Sequence, residues 1–257
     1  MMTAIDIFKQ SLSFYGRLFN KLFWLSVGSS ITPLIMIGAT SSSQPPSMLA
    51  VLIIAAFSMF FSVYIMSLIH QFSSEQDDSL KNAFSLTLSK VLPVTLTGFV
   101  FGLAVALVLI PAVLIATVLS AGFENEMVRN AFIMVLLAIP LSIVFYRWFY
   151  APYLTLVDGL SPIEALKASN KQVKGNRLVF RGFTLLGFVM LAYVIALVVV
   201  SLMIAVNPVA LEFAKFAINV IVMPFFSVYI YRLFVVTKLE ATSELNPSGS
   251  DDSDKEQ

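Results

Sequence analysis

Lys167, Lys171, Lys174, Arg177 and Arg181 are the residues of this chain whose type and spacing come nearest to doing chemistry. At 100° per residue they fall within an arc of about 120° on a helix, forming one basic stripe. Such a stripe suits anionic lipid headgroups, where each near-surface Lys or Arg contributes about 1 kcal/mol. The same charges also serve to keep a loop on the cytoplasmic side of a membrane, and the two roles are compatible. If Gly175 and Asn176 break the helix, Arg177 and Arg181 pass to the foot of the next apolar run. A second group, Tyr146, Arg147 and Tyr229, places polar side chains in or beside long apolar runs as a candidate intramembrane polar site. A helix rising from Ala131 reaches Arg147 after about 24 Å, so that guanidinium is expected to snorkel to the near headgroups.

Catalytic groupings are missing. The chain has a single histidine and no cysteine, too few nitrogen and sulfur ligands for a metal site. His70 reads as an ordinary interfacial residue. No nucleophile elbow, zincin helix, phosphate-binding loop or dinucleotide fingerprint occurs. No acidic residue falls inside an apolar run, which removes the usual carboxylates of ion-coupled transport. Glu75, Asp77 and Asp78 read as a solvated loop. The expectation is a protein that is not an enzyme, with no catalytic, cofactor-binding or metal residues and no cofactor. Nucleic acid is disfavoured as a partner because the basic residues abut apolar runs.

The elements that must position these residues follow from composition. Hydrophobic residues make up 58% of the chain, charged ones 12%, and mean hydropathy is +0.89; a soluble domain carries about 25% charged residues. Apolar runs at 22–39, 48–69, 91–119, 131–157, 178–206 and 213–236 approach or exceed the roughly 20 helical residues that cross a hydrocarbon core of about 30 Å. Backbone groups in lipid must bond internally, so the expected fold is all-α: a polytopic membrane bundle of six transmembrane helices with interfacial amphipathic helices. Pro111, Pro140 and Pro224 lie inside these runs. Gly98 and Gly102 form a GxxxG pair that permits close helix contact, expected within the molecule.

Residues 1–21 read as an amphipathic interfacial helix, with Ile5, Phe8, Leu12, Tyr15 and Phe19 on one face. As a secretory signal the segment is too long before its apolar run and lacks a good cleavage site, so it is expected to be retained. The transmembrane domain then spans 22–240, and 241–257, rich in Ser, Asp and Glu, reads as a disordered cytoplasmic tail. Of the Lys and Arg residues, only Arg129 and Lys215 fall on the loops of one side. Both termini are therefore expected in the cytoplasm.

A threefold internal repeat is legible as well. With Thr3, Ser79 and Ser161 in register, Asp6, Asn82 and Glu164 align, then Phe8, Phe84 and Leu166, then Ser11, Thr87 and Ser169. Phe61–Ile65 recurs as Phe226–Ile230, with Tyr146 at the intermediate place. Ser161-Pro-Ile-Glu164 has the spacing of a capping box, and Asp158-Gly159 that of a turn.

The segment from Ala151 to Asn176 also carries a resemblance. Pro152, Asp158, Gly159, Pro162, Glu164, Ala165, Leu166, Lys167, Ser169, Lys174, Gly175 and Asn176 match a string found in the YciC-like group of bacterial inner-membrane proteins. The chain also resembles, more distantly, the membrane domain of some glycerophosphoryl diester phosphodiesterases; Leu160 and Ser161 depart from the pattern. The resemblance implies a multi-pass protein of the bacterial inner membrane. It carries no phosphodiesterase activity, because no soluble catalytic segment accompanies the loop here.

The expected function is that of a non-enzymatic integral membrane protein. Its partners would be membrane phospholipids, with a membrane protein or a second copy of the chain as a further possibility. The alternative is a transporter, or transporter subunit, for a small solute or lipid. It would have a path among the proline-interrupted helices and polar candidates at Arg147, Tyr146, Tyr229, Thr117 and Asn219.

Overall fold

The computed structural model describes residues 2–39, 47–74, 79–203 and 208–245, without the side chains of 31–39, 50, 127, 131, 197–198, 200–203, 208–215, 219 and 241–245. Among the described residues every regular element is a helix: α1 (Ala4–Ala39), α2 (Met48–Ser74), α3 (Leu80–Leu119), α4 (Glu126–Trp148), α5 (Ala151–Asp158), α6 (Pro162–Val173), α7 (Arg177–Met203) and α8 (Pro208–Leu245). Five segments are long and apolar enough to cross a membrane: Val51–Ser74, Leu80–Leu119, Val128–Asp158, Arg177–Ala196 and Phe216–Glu240. The first expected span, 22–39, belongs to α1, half of its side chains lying outside the described residues. Residues 75–78, with the acidic cluster, and the tail from 246 also lie outside them.

Local sequence sets the starts of three helices. α1, α3 and α6 begin immediately after Thr3, Ser79 and Ser161. The Asp6 carboxylate accepts from the Thr3 N–H at 3.0 Å and hydroxyl at 2.6 Å, while the Asp6 N–H donates to the Thr3 hydroxyl at 3.2 Å. Orphan amides at a helix start are thereby satisfied. Four residues after each start signal stand Ile7, Ala83 and Ala165, and four further on Ser11, Thr87 and Ser169; all six are fully buried. α1 and α3 run on for 36 and 40 residues, about 54 and 60 Å at 1.5 Å per residue. Each is therefore longer than a hydrocarbon core needs, so residues 1–21 are not a separate element but the first half of α1.

The apolar run 131–157 is two helices. Pro152 has no N–H for the Trp148 carbonyl, and its ring crowds that turn, so α4 ends at Trp148 and α5 resumes at Ala151. α5 in turn closes on Gly159, whose φ of 66° is the left-handed conformation that suits glycine after a helix.

The chain divides into two compact units, Met1–Val91 with Asn176–Gln257, and Leu92–Gly175. In the first, α8 is the hub. In its most apolar window 61% of residues are buried, against 6% for α3; α1, α2 and α7 pack on it. α1 presents Ala4, Ile7, Ser11, Tyr15, Leu18, Leu22 and Leu25, a seam repeating every three or four residues. Ile5, Leu12 and Phe19, from the face singled out in the sequence, are exposed instead, while Phe8 turns in to pack edge-on against Phe225 at 5.3 Å. Contact is closest at two glycines: a Cβ on Gly28 would stand 2.8 Å from the Phe61 ring, and one on Gly182 2.7 Å from Leu233. Tyr15 donates to the Ile221 carbonyl at 2.6 Å and Tyr229 to that of Gly182 at 3.1 Å. Gly98 and Gly102 make no such approach, with no atom within 4 Å of where a Cβ would stand.

In the second unit, α6 packs on α4 and α5. The Thr97 and Thr155 hydroxyls, both buried, bond each other at 2.8 Å, and Phe101 meets Phe145 edge-on at 5.1 Å.

Candidate functional site

Ser161 starts α6 through Glu164, whose carboxylate accepts from the Ser161 N–H at 3.2 Å and hydroxyl at 2.7 Å. The Ser161 side-chain bond, then its backbone bond, hold this carboxyl below its ordinary value. Ala165, Leu166, Ser169 and Val173 form the buried face, and the Ser169 hydroxyl donates to the Arg147 carbonyl at 2.9 Å. The opposite face leaves Lys167, Lys171 and Lys174 exposed.

The stripe does not continue on the same helix. Gly175, at φ 80°, ends the turn after Lys174, and the Asn176 side-chain oxygen restarts the chain by accepting from the N–H groups of Leu178 at 2.9 Å and Val179 at 3.1 Å. Arg177 and Arg181 therefore belong to α7, as a break at Gly175 requires, and to the other unit from the three lysines.

There they line a cleft of about 580 Å³. Its walls include Ile5 from α1, Leu178, Thr184, Leu185 and Phe188 from α7, and Glu240 from α8. Ile5 and Phe188 are largely exposed, so the trough is open along its length. Neither arginine makes an ion pair among the described residues. Cations at the foot of an apolar helix and an apolar trough beside them match an amphiphile with an anionic head. The two arginines are legible in the sequence; Ile5, Leu185 and Phe188 are not legible as cleft walls, because they are remote in the chain or sit on a helix apolar nearly all round.

Of the second group, Tyr146 and Arg147 belong to the second unit and Tyr229 to the first. Arg147 is exposed, and the Tyr146 hydroxyl lies 3.4 Å from the Val173 carbonyl, both in the second unit. Tyr229 is buried in the first unit. The Thr117 hydroxyl donates to the Val113 carbonyl at 2.8 Å, and the Asn219 side chain lies outside the described residues. His70 Nδ1 stands 2.9 Å from the Tyr231 hydroxyl. Among the described residues no three His, Asp or Glu side chains gather as metal ligands.

A second opening lies between α1, α2 and α8, beside Pro224. It measures about 400 Å³ and is lined by Ser26, Ser29, Ser30, Ser62 and Ser227. Ser62 and Ser29 donate to the carbonyls of Ser58 at 2.8 Å and Ser26 at 3.3 Å. The clustering of Ser26, Ser29 and Ser30 at one helical face was visible in the sequence; their meeting with α2 and α8 was not.

No family model matches the chain, nor does any curated protein or solved structure.

Proposed function

We propose that this is a non-enzymatic, six-span protein of the bacterial inner membrane, both termini cytoplasmic, which holds anionic phospholipid at its cytoplasmic rim. The observation that carries this reading is the cleft in which Arg177 and Arg181 face an apolar wall of Leu185 and Phe188. The exposed Lys167, Lys171 and Lys174 add positive charge to α6 on the reading's cytoplasmic side. Ile5, Leu12 and Phe19, exposed at seven-residue intervals, support an interfacial role for the first half of α1. Three repeated units, each a capped helix followed by an outward and an inward span, are supported by the common helix starts and the matching buried positions. The hydroxyls of Tyr64, Tyr146 and Tyr229, which recur in register, all point to main-chain carbonyls. The inner-membrane assignment leans on the YciC-like resemblance of the loop.

The test is native mass spectrometry of the detergent-extracted protein. The wild type is expected to retain phosphatidylglycerol or cardiolipin. The double variant Arg177→Glu/Arg181→Glu should lose about thirtyfold or more in retention, because two charges at roughly 1 kcal/mol each are removed before the reversal adds its own repulsion. Undiminished lipid on that variant would reject the proposal.

The serine-lined opening at Pro224 favours a second reading, a transporter for a small neutral solute, because it supplies hydroxyls beside a helix that carries a proline within it. Solute uptake into proteoliposomes, lost in Ser26→Val/Ser30→Val, is its expected signature; uptake unaffected by those changes would remove it.

A further inference from the structure

A third cleft, of about 370 Å³, has different chemistry from the other two. Arg17 of α1 and Arg232 of α8 both line it, with Gln10, Ser13, Phe14 and Ser73. No acidic residue is among its lining residues within the described part of the chain. Arg232 is held in place from two sides: its Nη2 donates to the Gln10 side-chain oxygen at 3.0 Å, and its guanidinium carbon sits 5.7 Å from the centre of the Phe14 ring. Phe14 is itself fixed edge-on by Phe72 at 5.0 Å. The Arg232 Nε is buried and has no hydrogen-bond partner among the described residues. Arg17 makes no ion pair or hydrogen bond among the described residues.

Buried guanidinium N–H groups without acceptors are costly, and two cations facing one space repel each other unless an anion lies between them. Because Arg232 can only donate, Gln10 must present its oxygen to it, which leaves the Gln10 amide N–H groups as further donors. The Ser13 hydroxyl adds another. Donors thus come from two helices, α1 and α8. A tetrahedral oxyanion offers acceptors in those several directions, whereas a carboxylate has two coplanar oxygens.

We propose that this cleft is a phosphate site, in which Arg17 and Arg232 clamp a phosphate monoester or diester with Gln10 and Ser13 completing the donor set. The group comes either from a lipid headgroup or from a soluble phosphate ester. The site is distinct from the Arg177–Arg181 cleft and does not depend on it.

The experiment is a calorimetric titration of the full chain, in uncharged detergent and phosphate-free buffer, with inorganic phosphate and separately with short-chain phosphatidate. Saturable binding is expected, weakened about tenfold or more in Arg17→Gln, the loss of a charged hydrogen bond. Arg17 is exposed, so that variant keeps its fold; Arg232→Lys, which retains charge without the fork, should also bind more weakly. The phosphatidate titration is made in Arg177→Glu/Arg181→Glu, so that the other cleft does not contribute, and Arg129→Gln, which lines neither cleft, should leave binding unchanged. Binding of both ligands assigns the site to free phosphate esters, and binding of phosphatidate alone assigns it to headgroups. Absence of binding, or equal binding by Arg17→Gln, overturns the proposal. Binding that emerges only in Glu75→Gln/Asp77→Asn/Asp78→Asn also overturns it, because that loop's own carboxylates would then be the occupants.

Discussion

Gly182 and Gly98 are both helical glycines in apolar surroundings, yet their substitution should have opposite effects. At Gly182 an added methyl meets Leu233, and the same residue's carbonyl takes the Tyr229 hydroxyl. Gly182→Ala is expected to cost about 1–3 kcal/mol, towards the lower end because a leucine side chain can partly yield. Gly98→Ala, with open space around it, should be neutral or up to about 1 kcal/mol stabilising. Thermal unfolding in detergent reads both. Asp6 and Glu164 provide a pH-dependent counterpart. Bonds from Thr3 and Ser161 hold the two carboxyls below their ordinary values of 3.8 and 4.5. A carboxyl depressed in the folded state stabilises it above the ordinary value and ceases to do so as pH falls through the folded one. Amide-exchange protection at 3–6 and 161–164 should therefore decay as pH drops below about 4. Glu164→Gln should abolish that pH dependence at the start of α6 alone.

At the scale of elements, Gly175 separates the lysines of α6 from the arginines of α7. Its φ of 80° is a conformation that costs a residue with a Cβ about 1–2 kcal/mol. Gly175→Ala should lower stability by about that amount, and Gly175→Asn by less, since asparagine tolerates left-handed backbone. Equal stability of all three would mean that the junction is not held in this conformation. Helix starts were largely legible because their signals are local: Thr3, Ser79, Ser161 and Asn176 act on amides within a few residues. The break between α4 and α5 was missed although Pro152 was in plain sight. Hydropathy averages across a break that only the missing N–H reveals.

For the whole molecule, the decisive question is which loops face which side of the membrane. The chain has no cysteine, so single cysteines report cleanly. With six spans and cytoplasmic termini, Gly122→Cys should react with an impermeant maleimide added to intact cells, and Lys171→Cys only after permeabilisation. The reverse pattern would overturn the orientation. Within the first unit, α8 owes its central place to partners from α1, α2 and α7, and loss of Tyr229 tests that arrangement directly. Tyr229→Phe should cost about 1 kcal/mol through the lost bond to Gly182.

Composition alone dictated helices, because a chain this apolar has to satisfy its amides within each segment. Capping residues determined several of the boundaries, and the distribution of Lys and Arg underlies the expected sidedness. Only the tertiary structure decided which flank of α1 is buried, which glycines are approached, and which remote residues join Arg177 and Arg232. The reason is contrast. In water a buried face differs from an exposed one in polarity, whereas a helix in lipid is apolar on both, so periodicity cannot tell a neighbour from an acyl chain. Ile5 and Ile7 are the same residue type two positions apart; tertiary packing, not sequence, decides that one is exposed and the other fully enclosed.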